Sequence, residues 1–160
     1  MINYNMKNLL ILSLTLILSI SLFTCRNYKS VTEIYVNSKT GNDSFPGTVK
    51  KPVRSISEVN KRIQVKPASI LFAGGQVFEG TLTLKNIQGI DSLPFIVGSV
   101  GGGRAEIDGG NNEAVRIQNC RFLRVENLYL TGSGRKDGNT TNGLQLISST
   151  NCVVEDIIAE

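Results

Sequence analysis

Glu126 and Glu155 stand 29 positions apart, and each is followed by a residue that turns a chain easily, Asn127 or Asp156. In two stacked strands of one register, carboxylates so placed would lie about 4.8 Å apart. That is close enough to share a hard, oxygen-preferring cation such as Ca2+, with Asn127 and Asp156 helping. Ca2+ takes six or more oxygens, however, and this set supplies few. The competing arrangement is two solvated glutamates beside corner residues, with Arg124 giving partial relief. A second group lies in the glycine- and asparagine-rich run at 132–142, where Arg135, Lys136 and Asp137 could contact an acidic glycan or form a solvated insertion. No catalytic residue is assigned.

Other chemistries are excluded by what is missing. The 160 residues contain no histidine, so a histidine-based triad or histidine-ligated zinc has no donor here. The net charge of +4 is dispersed. Lys50-Lys51 and Arg135-Lys136 are only pairs, without the basic run or interleaved aromatics of a nucleic-acid surface. The glycines at 101–103 are not followed by the Lys-Ser/Thr pair of a phosphate-binding loop. Asn42 and Asp43 suggest either a calcium loop or a plain turn held by Asx-type hydrogen bonds, and the plain turn needs fewer ligands.

The elements that would position these groups are read from one repeat. Ala114-Val115-Arg116-Ile117 recurs as Gly143-Leu144-Gln145-Leu146, and the run at 123–130 recurs at 152–159, both at a spacing of 29. Repetition at that period predicts stacked structural units. Leu123 and Val125 alternate with Arg124 and Glu126, as in a half-buried strand. Continued alternation would bury Asn127 and expose Leu128, which is energetically backward. A single left-handed residue at Asn127 resets the phase and returns Leu128 and Leu130 to the interior. Asp156 holds the same place ahead of Ile157 and Ala159. Strand, one-residue corner, strand is how a coil of a parallel β-helix is built.

Upstream, Glu33 to Asn37 reads as a first strand, followed by a stretch dense in turn formers. Ser55 caps a short helix whose Ile56, Val59 and Ile63 share one face, and Glu58 completes a capping-box pattern. This helix suits a lid over the open end of the stack. Short β-type runs follow from Ser69 onward. The same register sets Cys120 three residues off Cys152, farther apart than a disulfide tolerates, so both thiols are expected to be free.

The first 25 residues have a different character. Lys7 precedes an apolar run at 9–23, shorter than the roughly 20 residues of a membrane span. Leu22-Phe23-Thr24-Cys25 resembles the lipobox of bacterial lipoproteins, with Thr24 departing from the usual Gly or Ala. The resemblance implies export and lipidation at Cys25; an ordinary cleaved signal and a retained anchor are the alternatives. The expected division is a signal at 1–25, a linker at 26–33, and the N-terminal coils of a β-helix at 34–160, incomplete at the C-terminus.

The stretch from Tyr35-Val36-Asn37 through Gly41-Asn42-Asp43-Ser44 to Pro46-Gly47-Thr48 and Lys51-Pro52 resembles the entry segment of secreted right-handed parallel β-helix proteins. Gly102-Gly103-Arg104-Ala105-Glu106-Ile107-Asp108-Gly109-Gly110 and Val125-Glu126-Asn127-Leu128 resemble further recurrent stretches of the same group. This is the pectate-lyase-like superfamily, which includes chondroitinase B and certain pectate lyases. The resemblance implies an all-β right-handed parallel β-helix with a short N-terminal capping helix, acting on acidic polysaccharide. Its lyase members use bound Ca2+ or a cationic side chain to neutralise a uronic carboxylate, and Lys or Arg as the base. Its hydrolases use paired carboxylates. The alternative is a non-catalytic glycan-binding or adhesin-like scaffold.

Overall fold

The computed structural model describes residues 33–63, 69–134 and 141–160, all within a compact unit spanning Val31–Glu160. Cys25 and the trio Arg135, Lys136 and Asp137 lie outside the described residues. Among the described residues no helix is long and apolar enough to cross a membrane.

One helix, α1 (Ile56–Ile63), accompanies strands that all pair in parallel. After β1 (Ile34–Val36) come β2 (Ile70–Ala73), β3 (Val77–Glu79) and β4 (Leu82–Lys85) as a first layer. β5 (Phe95–Val100), β6 (Ala105–Asp108) and β7 (Val115–Gln118) form the second, β8 (Leu123–Thr131) and β9 (Leu144–Ile147) the third, and β10 (Val153–Ala159) begins a fourth. Seven strands build one curled sheet, and β4, β7 and β9 build a smaller one. The 29-residue echo is the pairing register: Val115 pairs with Leu144, and Arg124 with Val153.

The corner behaves as its residue type demands. Asn127 and Asp156 adopt φ of 54° and 53°. Leu123, Val125, Leu128 and Leu130 are buried on either side of Asn127, while Arg124, Glu126 and Tyr129 are half-exposed. A β-branched side chain is strained at positive φ, and glycine is not. Asn127→Val is therefore expected to lower stability by about 1–2 kcal/mol, and Asn127→Gly by well under 1 kcal/mol, in urea unfolding followed by circular dichroism. Equal losses for the two variants would show that the corner does not set the phase.

The corner is not uniform through the layers. Three positions separate Val125 from Leu128, but eight separate their partners Val97 and Ala105. The extra residues form a loop containing Gly101 and Gly103, both at φ of 86°. Ser99 ties this loop to the next layer. Its hydroxyl donates to the Asn127 carbonyl at 2.6 Å and accepts from the Ala105 N–H at 2.8 Å.

The lid forms as its pattern predicts, with Ile56, Val59 and Ile63 buried. The side-chain amide of Asn60 completes it by mimicking a strand edge. Asn60 accepts from the Thr83 N–H at 2.9 Å and donates to the Thr81 carbonyl at 2.9 Å, so β4 keeps no bare edge there. The capping box is only half formed. Ser55 Oγ accepts from the Glu58 N–H at 3.2 Å, but Glu58 turns to Arg62 instead of back to Ser55.

The missing arm comes from Asp43, whose carboxylate accepts from the N–H groups of Arg54 and Ser55 and from the Ser55 hydroxyl. The same segment is a hydrogen-bonded turn, since Asn42 Oδ1 accepts from the Ser44 N–H and hydroxyl. Partial burial pushes the Asp43 carboxyl up. The Ser55 and Arg54 hydrogen bonds and the Arg62 charge outweigh it and hold the group below its ordinary value. A depressed folded pKa contributes stability above the unfolded value of about 3.9, lost as pH falls through the folded one. Asp43→Ala is accordingly expected to cost about 1 kcal/mol at pH 7 and progressively less below pH 4. A pH-independent difference in urea midpoints would contradict this.

Both thiols are free: Cys120 is buried and Cys152 half-buried. Burial pushes the Cys120 thiol up, which keeps it neutral and unreactive.

Candidate functional site

The register brings the Glu126–Glu155 pair together, since the two are cross-strand partners on β8 and β10. Arg124 accompanies them, 3.8 Å from Glu126 and in direct contact with Glu155. Arg104, reaching from the loop before β6, pairs with Asp156. Asn127 spends its carbonyl on Ser99. The two stacked carboxylates already have a guanidinium as their shared cation, and no cluster of three metal-ligating side chains occurs among the described residues. The donor set therefore does not suit Ca2+ as it stands.

A different face gathers free polar chemistry. Along β3, β6, β8 and β10 the outward positions carry Val77, Glu106, Tyr129 and Ile158 in one row, with Glu79, Asp108 and Thr131 in the next. The two hydroxyls of β8 each hold a carboxylate from a neighbouring layer. Thr131 donates to Glu106 at 2.8 Å, and Tyr129 donates to Glu160 at 2.6 Å. Donation to Glu160 pushes the Tyr129 hydroxyl above its usual pKa, with lesser contributions from slight burial and the nearby acids. Among the described residues none of Glu79, Glu106, Asp108 and Glu160 joins an ion pair. Glu106 and Ile158 lie two strand spacings apart, roughly 10 Å at the backbone, and Glu160 lies two residues farther along the chain.

Beside Glu160 the face opens into a cleft of about 610 Å3 lined by Asn112, Thr131, Asn142, Leu144, Ala159 and Glu160, among others. Behind it, Glu113 is buried against Arg116, whose guanidinium holds the carboxyl below the usual range. A second cleft of about 400 Å3 lies near Ser38, Arg54, Val77 and Glu79.

Sequence reasoning missed this acidic face because β6 meets β8 at a spacing of 23 instead of 29. The only available signal was the alternation in Ala105-Glu106-Ile107-Asp108, which marks two outward acids without saying what they face.

No protein-family model and no curated protein matches the chain. Among solved structures it is similar to the native crystal structure of a GH136 lacto-N-biosidase from Eubacterium ramulus, at 29% identity and a TM-score of 0.56 over 64% of this chain. It is similar as well to the selenomethionine form of that enzyme, at 25% identity and a TM-score of 0.60 over 82% of this chain. The chain spans only 21% and 28% of those two structures. What it shares with them is a stack of parallel strands found in a glycan-cleaving enzyme.

Proposed function

We propose that this chain forms the entry coils of a right-handed parallel β-helix of the pectate-lyase-like type, in an exported protein that acts on polysaccharide. The observation that carries this reading is the 29-residue parallel register, together with likeness to a lacto-N-biosidase. The proposed localisation is a membrane surface, through lipid on Cys25. Arg135, Lys136 and Asp137 are the proposed contacts to an acidic glycan. Likeness to a glycosidase favours hydrolysis over elimination for the whole protein, and the Arg124 position argues against a Ca2+-dependent step at Glu126 and Glu155. The second reading is a non-catalytic glycan-binding scaffold, favoured by the regular stack of layers with Asn and Asp at its corners.

The test is to incubate the protein with uronic-acid polymers plus Ca2+ and, in parallel, with uncharged oligosaccharides. Absorbance of unsaturated products and release of reducing ends are followed. New reducing ends without absorbance support a hydrolase, and unsaturated product supports a lyase. Retention on immobilised glycan without product supports the scaffold. Neither retention nor product from any polymer would sink the proposal.

A further inference from the structure

We propose that the turn at 48–51, on the entry cap of the stack, docks on an anionic lipid bilayer, a proposal that rests on the lipid-anchor reading above. The turn is held closed at its base. The Lys51 N–H donates to the Thr48 carbonyl at 3.0 Å, and the Gly47 N–H donates to the Lys51 carbonyl at 3.0 Å. Val49, Lys50 and Lys51 are all exposed on it. Val49 is 66% exposed, more than any other large hydrophobic among the described residues. A single exposed valine is ordinary on a protein surface. Beside two lysines it has the composition of an interfacial contact: an apolar tip that can leave water, and ammonium groups that stay among the headgroups.

The cap also carries the chain's excess of positive charge. Residues 33–63 contain six Lys and Arg against three Asp and Glu, whereas residues 64–160 contain eight against ten. Two of the three acids are engaged, Asp43 by the Arg54 and Ser55 N–H groups and Glu58 by Lys61 and Arg62. Lys39, Lys50, Lys51 and Arg54 are exposed and join no ion pair among the described residues. Outside the described residues the sequence holds a single acid, Asp137, so no further carboxylate can neutralise more than one of them.

Placement favours a lipid surface over a soluble polyanion. The Tyr35 N–H donates to the Gly47 carbonyl at 2.8 Å, so the turn hangs from β1, the first strand after the linker. From Cys25 to Ile34 the chain spans at most about 30 Å even fully extended. A bilayer that holds lipid on Cys25 therefore stays within reach of the cap, at a high effective concentration. Its anionic headgroups attract every lysine or arginine that comes within a screening length.

The chain has no tryptophan, so Val49→Trp places a single fluorescent reporter at the tip. The full chain is reconstituted into vesicles of phosphatidylcholine, alone or with about one third phosphatidylglycerol, each with and without brominated lipid. In anionic vesicles the emission is expected to shift to the blue and to be quenched by brominated lipid. Salt at about 0.5 M should reverse both effects, and neutral vesicles should produce neither. Ile90→Trp, at a position 58% exposed between β4 and β5, should stay in water throughout. Lys50→Gln with Lys51→Gln, added to Val49→Trp, should lower the ratio of docked to free tip about tenfold or more, at roughly fivefold per charge. Unchanged circular dichroism establishes that the variants fold. Protein that stays with anionic vesicles while its Val49→Trp emission remains that of water overturns the proposal, as does equal quenching in neutral vesicles. A larger shift with polygalacturonate in free solution than with vesicles assigns the turn to an acidic glycan and overturns it too. If mass spectrometry finds no lipid on Cys25 and the chain leaves the vesicles, the lipid-anchor reading falls and this proposal with it.

Discussion

Leu128→Ala is expected to lower the unfolding free energy by about 2–5 kcal/mol, the range for truncating a fully buried leucine. Leu128 is 0% exposed and stacks between Ala105 in the layer before and Ile157 in the layer after. Since Ala105 is already small, removing three carbons at Leu128 would set two alanines side by side. Collapse of the resulting cavity would require the β6–β8 and β8–β10 ladders to approach, which their fixed hydrogen-bond spacing resists. The position also tests the corner, because without the reset at Asn127 this residue would face water. Ile158→Ala, on an outward residue 45% exposed, serves as the control and should cost less than about 1 kcal/mol. Equal urea midpoints for the two variants would mean that Leu128 is not interior.

Gly41→Ala is expected to be comparably damaging, for a reason of space. A Cβ there would lie 2.3 Å from the Asn37 carbonyl oxygen and 2.3 Å from that of Val53. Neither oxygen can withdraw freely. The Gly41 N–H donates to Asn37, and Val53 accepts from the Asn37 N–H while donating to Tyr35. Relieving the clash would break the bridge that joins β1 to the segment leading into α1, at an expected cost on the order of 3 kcal/mol. Gly102→Ala supplies the contrast, because nothing lies within 4 Å of its added Cβ and its φ is not positive. Thermal unfolding should separate the two sharply, and limited proteolysis of Gly41→Ala should cut within the entry segment. A Gly41 variant as stable as the Gly102 variant would contradict the close approach.

The resemblance carried by Tyr35-Val36-Asn37 and Gly41-Asn42-Asp43 reached the right kind of structure: mostly strands, all parallel, with one short helix. It reached further than the chemistry did. The Glu126–Glu155 stack was legible because both residues sit in copies of one repeat, where equal spacing guarantees equal register. The guanidinium of Arg124 between them was less legible. Its reach depends on side-chain rotamers, and sequence spacing leaves those open. Asn60 carries no signal in the sequence pattern, although its amide closes the edge of β4. Asp43 was read as a turn residue, yet it supplies the arm that Glu58 was expected to give.

The sequence by itself determined the strand phase, the corner at Asn127 and Asp156, the buried face of α1 and the separation of Cys120 from Cys152. These follow from local sterics and from the need to bury every second side chain, conditions a short segment satisfies alone. Only the tertiary structure decided which acids became neighbours. The five extra residues around Gly101 and Gly103 shift β6 against β8, and that offset faces Glu106 toward Thr131. Loop length between unlike layers is not periodic, so it leaves no echo in the chain, and its consequence appears only when the layers stack.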